Sequence, residues 1–307
     1  MKIEYAIIVK NKTRLELLIE RFNTTEQARF YIEKSGGNFS DYVAEHERFH
    51  ACLQEVQRQL SPVMKNKIIE RSFVSSYIFS PGQLIIVIGQ DGLVANTAKY
   101  TRSVPMIAIN PDETRYDGVL LPYNQSTFLK GVKAVMLEQA AFRTFHFAEV
   151  KLSDGQRLLA FNDIFIGPSS HISARYKLSY GGKTEEQSSS GIIVSTKAGA
   201  TGWMSSVVNM AYGVTGLFDN NKEIRQPALR DDQLLYAVRE PFRSVRTQIS
   251  LCAGYVNAKN KLTVESLMPT HGIIFSDGIE VDHLKFNSGA IATVGLAPEK
   301  ALMVVPH

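Results

Sequence analysis

The chain has 307 residues, 44% of them hydrophobic and 21% charged; this composition excludes wholesale disorder and, at about 150 residues per domain, predicts two domains. Its 34 Lys and Arg against 30 Asp and Glu leave a net charge of +4, too small an excess to argue for nucleic acid but suited to an anionic small ligand. There is no run of about 18 apolar residues, so no membrane span is expected, while two distant cysteines, Cys52 and Cys252, make no disulfide framework and point to a reducing compartment. The opening residues have neither the apolar region of a signal peptide nor the Arg-rich, acid-poor character of a transit peptide, so a cytoplasmic location is expected.

The first half alternates strands and helices. Residues 3–9 are a short apolar run with the character of a buried strand. A helix follows from about Thr13, and Thr24 with Gln27 has capping-box spacing for a second helical segment that ends at Gly36-Gly37. Residues 40–60 are rich in helix formers, and Pro62 stops them. Leu84-Ile85-Ile86-Val87-Ile88 is continuously apolar, the mark of a strand covered on both faces. A turn feeding a helix over residues 89–100, a strand over 106–110 and a helix over 127–141 complete an open, mostly parallel sheet with helices on both sides.

Composition changes near Phe142. From there to about Thr196 the chain is rich in β-branched and aromatic residues, with hairpin signals at Ser153-Asp154-Gly155 and Tyr180-Gly181-Gly182-Lys183. The polar, Ser-rich residues 184–190 read as a mobile loop. A helix over 201–212 interrupts the strands, which resume from about Leu234, and the charged residues 222–232 read as a surface connection. The expected division is an α/β domain over residues 1–141 and a β-rich, sandwich-like domain over 142–307, whose last segment returns to the first.

Three segments carry chemistry. Val87-Ile88-Gly89-Gln90-Asp91-Gly92 delivers a glycine-flanked carboxylate from a buried strand to a helix start. The carboxyl ends of parallel strands are where open α/β sheets place ligands, glycines admit phosphate to the backbone, and a helix N-terminus favours anions. Asn162-Asp163 interrupts an apolar strand with an amide beside a carboxylate, a pair that can grip sugar hydroxyls and base edges or simply form a turn. Residues 190–203 end a strand in a small-residue loop, where the Thr201 hydroxyl and the helix-start amides supply donors; Trp203, the single tryptophan, either stacks on a ring or packs in the core.

Taken in order, these segments resemble the NAD kinase family, with its Gly-Gly-Asp-Gly segment, Asn-Glu pair and hydroxyl-rich loop. The nearest resemblance is to the mitochondrial-type NAD kinases, through residues 105–112, 162–167, 189–191, 234–236, 239–241 and 286–292, together with Phe275-Ser276-Asp277-Gly278 as the closing Asp-Gly turn. The resemblance implies an α/β nucleotide-kinase domain followed by a β-rich NAD-binding domain. The implied reaction moves the terminal phosphate of ATP to the 2′-hydroxyl of the adenosine ribose of NAD, giving NADP, with magnesium or another divalent cation. Asp91 would be the proton acceptor or metal-organising carboxylate. Gly89, Gly92 and Asn110 would serve the phosphates and nucleotide, Asn162 and Asp163 would hold the NAD ribose or adenine, and Thr201, Trp203 and Ser206 would line the dinucleotide site. A homodimer or homotetramer is implied as well.

Departures from the family pattern keep other readings open. Gln90 stands where the family has glycine, and would crowd phosphates or forbid a positive φ. Leu93 replaces a common hydroxyl residue, and Asp163 is one methylene shorter than glutamate. The alternatives are a weak or inactive NAD(P)-binding regulatory protein on the same fold and a kinase for another hydroxyl. Separately, His46-Glu47-Arg48-Phe49-His50 matches the metalloprotease pattern His-Glu-x-x-His, with Glu70 at the distance of a third ligand. Residues 68–71 look like a strand, however, and the plain reading is an amphipathic helix with two exposed histidines. The stretch His171, Arg175, Tyr176, Lys177 reads as a solvated strand face, and both cysteines as small hydrophobes.

Overall fold

The computed structural model describes residues 3–101, 103–218 and 227–306; of the charged connection, residues 222–226 lie outside the described residues. The chain divides into two compact units, Met1–Thr144 with Ala301–His307, and Phe145–Lys300.

The first unit is built on β1 (Tyr5–Lys10), β2 (Lys65–Glu70), β3 (Gln83–Ile88) and β4 (Pro105–Ile109), all parallel, in the order β2-β1-β3-β4. The final residues join it, Leu302 and Met303 pairing in parallel with Pro105 and Met106. Leu84 to Ile88 are buried without exception, because helices cover both faces of a parallel sheet and leave no polar side. Those helices are α1 (Arg14–Phe22), α2 (Thr25–Lys34), α3 (Phe39–Leu60), α4 (Asp91–Thr101) and α5 (Phe128–Met136). Their starts are chemically set. Thr13 and Glu16 close a full capping box, Thr24 accepts the Gln27 amide, and Asn38 accepts that of Ser40. At the end of α2, Gly36 takes φ +78° and the Gly37 amide reaches back to the Ile32 carbonyl, a left-handed turn that glycine enters without strain.

The second unit is antiparallel in its strand pairing, apart from the end of its last strand, which is the parallel segment that joins the first unit. Its strands are β5 (Ala141–Leu152), β6 (Arg157–Ala160), β7 (Asp163–Pro168), β8 (Ala174–Tyr180), β9 (Lys183–Ser189), β10 (Ile192–Ser195), β11 (Leu234–Val238), β12 (Ala253–Val256), β13 (Leu262–Ser266), β14 (Gly272–Ser276), β15 (Ile279–Lys285) and β16 (Ile291–Val305). One sheet runs β12-β11-β10-β7-β14-β15; in the other, β13 lies between β16 and β8, and β9 follows β8. A core containing Ile164, Ile166, Val194, Tyr236 and Ile274 from the first and Tyr176, Leu178, Val264 and Val294 from the second fills the space between them. On its other face the first sheet carries α6 (Trp203–Thr215). Both expected hairpins form. Gly155 has φ +91°, and Gly181 and Gly182 have φ +58° and +78°, the pair of positive values a two-residue turn requires.

Residues 184–190 are not a loop. Most of them belong to β9, and the polar inward positions Glu185, Gln187 and Ser189 are buried. They satisfy one another. The Tyr176 hydroxyl donates to Gln187 Oε1 and lies 2.7 Å from Ser189 Oγ, Gln187 Nε2 donates to Glu185, and Glu185 accepts the Leu251 amide. A polar run therefore makes a strand because its buried groups are paired. Tyr176 is likewise core, while Arg175 and Lys177 point to solvent on the same strand. Cys52 is buried as expected, but Cys252 is half-buried with its thiol on the Ile249 carbonyl. The helix expected over 127–141 stops at Met136. Among the described residues, no helix is long and apolar enough to cross a membrane.

One tight contact tests the packing of the second unit. A Cβ on Gly272 would fall 1.9 Å from the Phe286 carbonyl oxygen, whose residue also donates its amide to Gly272. Gly272→Ala should lower stability by about 3 kcal/mol or more in urea unfolding, at the upper end of overpacking costs, because the obstacle is backbone.

Candidate functional site

In the first unit the polar chemistry gathers at the carboxyl ends of β3 and β4. Gly89 ends β3 with its amide on the Ile109 carbonyl, and the Gln90 carbonyl accepts the amides of Leu93 and Val94, opening α4. Asp91 is the first residue of that helix, half-exposed, and its Oδ1 accepts the Leu120 amide at 2.9 Å. The amides of Asp91 and Gly92 precede the first intrahelical bonds, so the helix presents them outward. Gly92 is exposed, and a Cβ there meets nothing within 4 Å. Gln90 is exposed too, and it is not among the residues with positive φ. Its backbone therefore has no need of glycine, so the expected positive-φ conflict does not arise. Leu93 is buried and would touch a side chain placed at Gly89, so the hydroxyl position of the family is apolar packing here.

Asn110 is buried, and both its side-chain groups are committed to the loop that follows β4. Its Nδ2 donates to the Tyr116 carbonyl and its Oδ1 accepts the Asp112 amide. Asn110 and Asp91 thus hold the same loop, one at residues 112 and 116 and the other at residue 120. Arg48 from α3 adds a bond to Asp112 at 2.7 Å.

In the second unit the Asn162-Asp163 pair sits at the start of β7, where three segments converge. The Asp277 carboxylate accepts the amides of Phe161, Asn162 and Asp163, and its own amide donates to the Asp163 carbonyl. Asp277 and Gly278 have φ +54° and +71°, so the Asp-Gly turn between β14 and β15 aims the acid at this corner. From the other side Thr196 donates its hydroxyl to the Phe161 carbonyl and its amide to that of Asn162. A Cβ at Gly199 would lie 2.4 Å from the Asn162 carbonyl oxygen, so the small-residue loop is pressed against the pair. The motifs had marked the Asp277-Gly278 turn and the loop that holds Thr196, but not that both clamp residues 161–163, since those partners lie far away in sequence.

The two side chains of the pair differ. Asn162 is half-exposed, and among the described residues no hydrogen bond reaches its amide group. Asp163 is 9% exposed, pairs across the ladder with Ser195, and its Oδ1 has no partner. Burial pushes its carboxyl up to about 7, the Asp277 charge adding to the shift and the Ser195 hydroxyl opposing it.

The helix expected to start at Thr201 starts instead at Trp203. Residues 199–201 form a 3₁₀ turn, and Gly202 precedes α6 without a side-chain cap. Thr201 and Ser206 are exposed, and the Thr201 hydroxyl does not cap the helix. Trp203 stacks on Phe165 at 5.7 Å and Phe275 at 6.4 Å, and the Arg239 guanidinium lies 5.6 Å from its ring centroid. The indole thus packs on the apolar face that α6 covers.

His46 and His50 are half-buried rather than exposed, with ring centroids 4.3 Å apart. Glu70 ends β2, as its strand-like surroundings suggested, and faces Lys10 and Lys12 instead of the histidines. Glu47 is exposed.

No protein-family model matches the sequence, and no curated protein does. Solved structures do. A crystal structure of yeast NADH kinase complexed with NADH is similar over 100% of this chain and 84% of that one, with a TM-score of 0.63 and 14% identity. That of an NAD kinase from Archaeoglobus fulgidus in complex with ATP is similar over 98% and 93%, with a TM-score of 0.57 and 16% identity. This chain has the fold of NAD kinases. Within that fold the α/β unit carries Gly89, Asp91 and Gly92, and the β-rich unit carries Asn162 and Asp163.

The buried Asp163 makes stability depend on pH with a definite sign. Below about pH 4 both folded and unfolded chains hold the proton. Between there and about pH 7 the unfolded chain loses it while the folded chain keeps it, so stability falls as pH rises, by up to about 4 kcal/mol in all. Asp163→Asn removes the charge, so its unfolding midpoint should exceed that of the parent at pH 8, and the gap should narrow at pH 5 when both are melted.

Proposed function

We propose that this protein is an NAD kinase, transferring the terminal phosphate of ATP to the 2′-hydroxyl of the adenosine ribose of NAD. The observation that carries the reading is Asp91 with its flanking glycines, at the carboxyl end of a buried parallel strand in an NAD kinase fold.

In this reading the first unit binds the phosphates. The outward amides of Asp91 and Gly92 and the positive end of α4 attract the anion. Asp91, oriented through the Leu120 amide, takes the proton from the ribose hydroxyl as its oxygen attacks the γ-phosphorus and ADP departs. Asn110 acts at one remove, by fixing the loop that orients Asp91. In the second unit the free amide group of Asn162 supplies a donor and an acceptor to the adenosine moiety. Asp163, with one unpaired oxygen, accepts from a ligand hydroxyl or amino group; Thr201, two residues beyond the Gly199 that presses on Asn162, and Ser206 on the following helix add exposed hydroxyls. The single half-exposed Asp91 carboxylate fits a magnesium ion held chiefly by the nucleotide's own phosphates, where the ion would neutralise developing charge. Positioning and charge neutralisation account for most of phosphoryl transfer.

Gly92 offers a test that separates catalysis from folding. It is the second residue of α4, with open space around it, so Gly92→Ala should leave stability unchanged or raise it by at most about 1 kcal/mol. The added methyl would nevertheless obstruct phosphate and raise KM for ATP. Asp91→Asn should cut NADP formation by about 100-fold or more with the fold intact. The assay is NADP produced from NAD, ATP and magnesium by the purified protein, read with an NADP-specific dehydrogenase. No NADP from NAD or NADH with any nucleoside triphosphate or polyphosphate would refute the kinase reading. Calorimetric binding of NAD or NADP without turnover, with Gln90→Gly restoring it, would identify the regulatory alternative, which the exposed Gln90 beside Asp91 favours. Turnover of ATP with a different hydroxyl substrate alone would identify the other.

A further inference from the structure

The kinase reading makes no use of the His46-Glu47-Arg48-Phe49-His50 segment of α3. Its two histidines are one helical turn apart and share a face. Against that face lies the start of α1, whose capping box does two things at once. The Thr13 amide donates to Glu16 Oε2 at 2.6 Å, which turns the other carboxylate oxygen, Oε1, toward His50 Nε2 at 3.2 Å. Thr13 Oγ1 contacts His46 Nδ1 at 2.9 Å, leaving Nε2 as the nitrogen of that ring free to ligate. One ligand atom from each of Glu16, His46 and His50 lies within 4.8 Å of the other two, and all three residues are half-buried.

We propose that Glu16, His46 and His50 form a binding site for one divalent cation of the zinc class, with a fourth position left to water. Two imidazoles and a carboxylate suit zinc and its neighbours and disfavour magnesium, which takes oxygen ligands. The spacing also fits. Zinc bonds of about 2.0–2.1 Å place tetrahedral ligands about 3.3 Å apart, close to the 3.2 Å between His50 Nε2 and Glu16 Oε1. The other separations lie within 4.8 Å, and the bound ion would draw them in. Lys10 Nζ, 3.8 Å from Glu16 Oε1, faces the carboxylate as a competing cation, but it has a second acid, Glu70, at 3.6 Å to which it can withdraw. The bound ion would fasten α1 to α3. The third ligand comes from the helix cap on the N-terminal side, not from Glu70.

The site is separable from the kinase reading, because its test is binding and not turnover. The full-length protein, stripped with a chelator, is titrated with zinc against a chromophoric competitor, and with cobalt to record ligand-field absorption. One equivalent of zinc should bind with micromolar affinity or better, raise the unfolding midpoint, and resist a large excess of magnesium. Cobalt should give the visible bands of a four-coordinate site. His46→Ala and His50→Ala should each abolish the bands and the stoichiometric binding. Glu16→Gln keeps the capping box, so it should fold normally and bind zinc at least about tenfold more weakly. Absence of stoichiometric zinc binding, or affinity unchanged in the folded histidine or Glu16→Gln variants, would overturn the site.

Discussion

A parallel strand buried on both faces has no room for polar side chains along its length, so whatever chemistry it supports is confined to its ends. β3 imposes that constraint here. Its last five residues are wholly inside, and the first polar groups available after them are the backbone at Gly89, Gln90 itself and the carboxylate of Asp91. The helix that follows adds outward amides and a positive end at the same point. In the proposed kinase reading, strand, turn and helix N-terminus make a place for an anion beside a base, and Asn110 supports it by holding the loop that donates an amide to the acid.

The second unit solves a different problem. It must present a polar pair from a strand whose neighbours are apolar. The answer is a carboxylate from another hairpin, Asp277, which takes up three consecutive amides that would otherwise be left unpaired as the chain turns into β7. Thr196 and the close approach at Gly199 secure the other side. The corner is held from three sides as a result, and Asp163 stays buried there with its proton retained up to about pH 7. An acid kept there against its solvation preference is destabilising in the free protein, which is the kind of tension that binding sites tolerate when the ligand supplies the missing partner.

Helix capping links local structure to the proposed cation site. The Thr13–Glu16 box is an ordinary way to start a helix, yet it also orients one oxygen of Glu16 and one nitrogen of His46. A cap that ends up against a pair of histidines one turn apart arranges ligand atoms as a by-product of satisfying backbone amides. The pattern in α3 is visible in the sequence, but its partner is not, because Glu16 and His50 are brought together only by the packing of α1 on α3.

What the amino-acid order alone determined follows from local rules. Periodicity and burial of apolar runs set β3 and β4, side-chain caps set the starts of α1 and α2, paired glycines set the hairpin at residues 181–182, and glycines flanking an acid marked the end of β3. These depend on residues a few positions apart. Tertiary structure decided the rest. The polar segment 183–189 became a strand because Tyr176 and Leu251 supplied partners to its buried groups, and α6 began at Trp203 because that ring found Phe165 and Phe275 to stack on. Asn162 and Asp163 acquired their geometry from Asp277, and the third member of the histidine cluster came from another helix. In each case the deciding energy is a contact between groups far apart along the chain, which no local pattern encodes.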